Sequence, residues 1–193
     1  MQKARIRTGW KNKNRNISIE DFANALSAIC WRIALNAAKN LHEQDFIYNN
    51  DHQRINVIRE YLFFLIHCSD RLMHEQVNDD DRMTFITTLS KDGYRHLAQN
   101  SLEILSAAGG YQPTMESYIE SLNGTMNGLS SFRFEQNEPG YEMFRMLGAR
   151  ILAIMGDSQT NKWVIDQVMD IDGPETYEIF KKSFDKLKRS SGF

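Results

Sequence analysis

Arg59 to Glu75 reads REYLFFLIHCSDRLMHE. Six apolar or aromatic residues, Tyr61 to Ile66, follow one another without a polar break, and His67 ends the run. A helix that is apolar on every side cannot lie on a surface, so the reading predicts a helix at the centre of a bundle. Its polar residues with chemical potential are Glu60, His67, Asp70 and His74. His67, Asp70 and His74 are spaced i, i+3, i+7 and share one face, and Glu60 extends the line seven residues back.

Working outward, the neighbouring segments also repeat with helical period. Ser18 with Asp21 resembles a capping box that opens helix 1, predicted to run to about Tyr48. Its stripe is Phe22, Leu26, Ile29, Ile33, Ala37 and Leu41. Asn49-Asn50-Asp51 is a turn, and helix 2 is predicted over about Gln53 to Gln76. Asp80 or Asp81 caps helix 3, whose stripe is read as Met83, Ile86 and Leu89, with a kink or split at Asp92-Gly93 and an end at Gly109-Gly110. Thr114 caps helix 4, where Gly124 and Gly128 read as places of close backbone approach. Ser130 to Asn137 is the most irregular stretch. Pro139 suits the first position of helix 5, which Gly156 ends. Asp157 or Ser158 starts helix 6, with Trp163 among its apolar residues, and Asp172-Gly173-Pro174 is a turn that starts helix 7.

No strand-like alternation, internal repeat or low-complexity segment is present. The expectation is an all-α, single-domain bundle of about six to seven helices: long antiparallel helices 1–3 with shorter helices 4–7 packed across them. Residues 18–193 form the helical domain, and residues 1–17 read as a flexible basic arm. All three prolines lie at or beyond Pro113, so nothing interrupts the long helices before it.

Composition fits a globular chain, with 41% hydrophobic and 25% charged residues. Cys30 and Cys68 sit inside helical patterns and read as reduced core thiols. No apolar leader follows Met1, and no run approaches the ~18 residues that span a bilayer, so a cytoplasmic location is expected. Asn123-Gly124-Thr125 matches a glycosylation acceptor that such a location would leave unused.

Three kinds of function are open. Imidazole and carboxylate on helix 2 are ligand types for zinc or iron, so His67, Asp70 and His74 are candidate metal or small-ligand residues, with Glu60 as a fourth. Carboxylate-bridged metal bundles, however, place Glu-x-x-His pairs on two helices, and no such pair occurs here. The plainer alternative is a core helix in which Asp70 and Arg71 pair with other helices, His74 reaches solvent, and a buried His67 donates to a backbone carbonyl. No cofactor is implied. The basic arm carries Lys3, Arg5, Arg7, Lys11, Lys13 and Arg15 with Trp10 among them, which suits weak nucleic-acid binding through phosphate contacts and stacking. The rest of the chain has 17 basic against 25 acidic residues, which argues against a dedicated nucleic-acid binder. No hydrolase, phosphate-loop or dinucleotide motif is found, so the chain is read as acting by binding rather than catalysis. The favoured expectation is an interaction or assembly protein, with a protein partner or a homodimer. The Met-rich face of helix 5 and the aromatic stripe of helix 7 are its suggested contact surfaces when they are not core.

Overall fold

A computed structural model describes residues 17–105, 113–156, 161 and 163–191. Among these residues the chain is a helical bundle with almost no strand. Helices α1 (Ile19–Glu43), α2 (Asp51–Met73) and α3 (Asp79–Leu105) pack on one another. Helices α4 (Met115–Ser130) and α5 (Tyr141–Met155) lie against α2, and α7 (Gly173–Ser191) lies against α1. Between α5 and α7 come a single turn, α6 (Val164–Gln167), and a π-helical turn, Val168–Asp172. The basic arm with its seven candidate residues, the Gly109-Gly110 terminator and the expected start of helix 6 lie outside the described residues.

α2 is the central element. Every residue from Glu60 to Asp70 is buried, polar ones included. Its ends follow from local chemistry: the Asn50 side chain accepts from the Gln53 amide and caps the first turn. α1 opens as the sequence indicates, with the Ser18 hydroxyl accepting from the Asp21 amide at 3.1 Å.

α1 stops at Glu43 rather than near Tyr48. Asp45 adopts a left-handed conformation (φ 66°), and the Phe46 amide turns back to the Leu41 carbonyl. This is the helix-ending geometry that glycine usually supplies. The Tyr48 hydroxyl then donates to the Ala38 carbonyl at 2.7 Å and folds the following loop onto α1.

Four other expectations are corrected. α3 is not broken at Asp92-Gly93. A Cβ at Gly93 would lie 2.7 Å from the Tyr118 hydroxyl oxygen, so this glycine serves α3–α4 packing within one continuous helix. The period-three stripe of α3 is only partly buried: Leu89 and Phe85 are core, whereas Met83 is exposed, because a true helix advances by 3.6 residues. Pro139 does not begin α5. It lies in β2 (Glu138–Pro139), which pairs with β1 (Phe134–Glu135) through a two-residue turn at Gln136 and Asn137, both with positive φ. Finally, Asp172-Gly173-Pro174 is not a turn between helices. Pro174 has no amide to continue an α-helical ladder, and the chain accommodates it by widening one turn into a π-helix, closed by the Gly173 amide on the Val168 carbonyl.

Core composition bears on function. Met143, Phe144, Leu147, Ile151 and Met155 of α5 are buried, as are Tyr177, Phe180 and Phe184 of α7. Both apolar stripes suggested as contact surfaces are therefore internal. Trp163, expected among the apolar residues of helix 6, is exposed. No described helix is long and apolar enough to cross a membrane.

Candidate functional site

The four candidate residues of α2 divide into two groups. Glu60 is almost fully buried and is committed to structure. Its carboxylate accepts from Arg150 Nε of α5 at 2.6 Å and from Arg59 Nη2 at 3.2 Å. His67, Asp70 and His74 lie further along and line one cleft of about 450 Å³ between α2, α4 and the start of α3.

The floor of that cleft is His67. It is 2% exposed, and neither ring nitrogen has a hydrogen-bond partner among the described residues. The carbonyl contact expected of an ordinary core histidine is not made. Burial, assisted by the positive charge of Arg71 and opposed by Asp70, lowers its pKa to about 4. At neutral pH the ring is an uncharged imidazole with one N–H donor and one acceptor, both unused.

Around it, charge is unequally paired. Asp70 accepts a bidentate pair from Arg82 of α3, at 2.8 Å from Nε and 2.7 Å from Nη2. This fork satisfies the carboxylate and pins α3 to α2. Arg71 has no carboxylate partner among the described residues. Its guanidinium lies 5.3 Å over the Phe134 ring and makes one long contact, 3.5 Å, to the Ser130 carbonyl. α4 completes the rim with Met126, Asn127 and Ser130. Two arginines against one aspartate leave the lining with an excess positive charge.

No known protein family, curated protein or solved structure matches this chain.

A metal centre would need converging ligands. Among the described residues no group of three or more His, Cys, Asp or Glu side chains is placed to hold a metal ion. Asp70 is occupied by Arg82, and Glu60 by Arg59 and Arg150. The sequence reading missed Arg82 and the α4 residues. They come from other helices, and a single-helix pattern carries no register between helices. Arg71 was visible only as a structural cation beside Asp70.

Proposed function

We propose that this protein acts by binding, and that its site is the α2–α4 cleft, which takes a small anion bearing a carboxylate or phosphate group. Arg71 supplies the charge and His67 a directed N–H. The observation that carries this reading is His67: a buried imidazole with both nitrogens unpartnered, at the floor of a cleft. A buried polar group without a partner costs the fold about 1–3 kcal/mol, so its presence at a concave surface points to a ligand that completes it. Asp70 and Arg82 act here as a frame that fixes the α2 backbone beneath Arg71, and His74 stands at the mouth. Assembly with a partner or a second copy through α5 and α7 has less support, because their apolar stripes are internal.

The test is a titration of the protein with inorganic phosphate and with acetate, followed through the His67 ring nitrogens by ¹⁵N NMR. Saturable shifts are expected with at least one anion, weakened about tenfold or more in Arg71→Gln, as for a lost charged hydrogen bond. Ring signals that stay put with both anions would overturn the reading.

A further inference from the structure

A second cleft lies at the opposite end of α2, independent of His67. It holds about 570 Å³, inside the range of small-molecule sites, and is bounded by α1, the loop after it and the first turns of α2. Three kinds of surface meet there. Leu35, Ala38 and Ile58 form an apolar wall. The rings of His42 and Tyr48 are near-parallel, 29° apart with centroids 6.2 Å distant, and form an aromatic wall. Tyr48 is fixed in that pose by its hydroxyl bond to the Ala38 carbonyl, and His42 Nδ1 lies 3.3 Å from the Phe46 carbonyl.

The polar edge is made by Arg54 and Lys39, with Asn36, Asn50 and Asp51 beside them. The Arg54 Nη2 pairs with Asp51 at 3.0 Å, and its Nε is covered with no acceptor among the described residues, so the outer end of the guanidinium is what faces solvent. Asp51 stands beside Arg54, and the Lys39 ammonium on α1 pairs with Glu43 at 3.0 Å, so the lining carries two cations against one carboxylate.

We propose that this cleft is a binding site for an aromatic carboxylate. Its ring packs on His42, Tyr48 and the aliphatic wall, and its carboxylate pairs with the half-exposed Arg54 guanidinium. The two clefts take different ligands: a small hydrophilic anion beside His67, and an amphipathic acid beside Tyr48.

Naphthalene-2-carboxylate is a suitable probe, read by its own fluorescence, with naphthalene-2-methanol as the uncharged counterpart and cyclohexanecarboxylate as a non-aromatic competitor. The acid is expected to bind saturably and the alcohol about tenfold or more weaker, as for loss of a charged hydrogen bond. Cyclohexanecarboxylate should compete poorly. Arg54→Gln, at a half-exposed position that keeps the fold, should weaken the acid to the level of the alcohol, whereas His67→Leu should leave it unchanged. Equal binding of acid and alcohol, indifference to Arg54→Gln, or no saturable binding would each overturn the proposal. Sensitivity to His67→Leu would place the probe in the other cleft and overturn it too.

Discussion

An imidazole that makes no hydrogen bond works against folding, and His67 is therefore where stability and function separate. Leucine at this position fills similar space and removes two unsatisfied nitrogens. His67→Leu is expected to be as stable as the parent at pH 7, or up to about 1 kcal/mol more stable, while its affinity for phosphate or acetate, read by calorimetry, falls about tenfold or more. The pH dependence has a definite sign. The folded state holds the ring's pKa near 4, against an ordinary value of 6.5. Between these values the unfolded chain binds a proton that the folded one does not, so stability is full above pH 6.5 and falls as pH drops towards 4. The loss over that window is roughly 3 kcal/mol. Urea unfolding across this range should show the limb in the parent and its absence in His67→Leu. A variant clearly less stable at pH 7 would mean that the ring holds the fold together rather than serving a ligand. Asp172 offers a contrast: burial raises its carboxyl pKa, and one oxygen lacks a partner among the described residues although Gln167 donates to the other. A raised acid favours the protonated folded state, so this site destabilises as pH rises. Asp172→Asn should stabilise the protein at pH 7 by about 1 kcal/mol, with the gain vanishing in acid.

At the scale of elements, the glycines separate what the sequence could say from what it could not. Gly124 and Gly128, four apart on α4, both read as sites of close approach. Only Gly128 is one, where a Cβ would meet the flexible end of Met146. Gly124 has nothing within 4 Å of an added Cβ, so Gly124→Ala should simply favour the helix, by about 1 kcal/mol. Gly148 on α5 gave no sequence signal, yet a Cβ there would lie 2.9 Å from the Ile165 carbonyl oxygen of α6. Backbone cannot move aside as a side chain can, and Gly148→Ala should cost about 1–3 kcal/mol. Chemical denaturation of the two variants should shift in opposite directions. Helix existence was legible throughout because burial imposes a period on the sequence. Element ends were not, where the deciding residue took an unusual conformation: Asp45, Gln136 and Asn137 hold positive φ without being glycine. The candidate site was half legible for the same reason. His67, Asp70 and His74 share one helix and could be read together, but Arg82, Asn127 and Ser130 reach them only through packing.

Across the whole molecule, the buried run of α2 must account for its own acids. Asp70 is answered by α3 near the cleft, and Glu60 by α5 at a distance from it. Arg150 binds Glu60 at 2.6 Å and joins α5 to the central helix, while Arg59 adds a local bond at 3.2 Å. Arg150→Met leaves buried Glu60 with Arg59 alone and Glu60→Gln leaves a one-third exposed Arg150 without its carboxylate, so each is expected to cost about 1–3 kcal/mol. The double variant should cost less than the sum, because the Arg150–Glu60 pair is then removed as a unit, and a coupling of about 1–3 kcal/mol is expected from the cycle. The same variants divide the two roles of α2. If Glu60 holds the bundle and His67 serves the cleft, Arg150→Met should lower the unfolding midpoint yet leave the His67 ring shifts with phosphate or acetate intact at temperatures where it is folded. Additive losses would show that the ion pair contributes no joint stabilisation. Loss of the anion response in folded Arg150→Met would show that the α5 end of the helix and the cleft are one coupled site, and Glu60 would return to the set of ligand-binding residues.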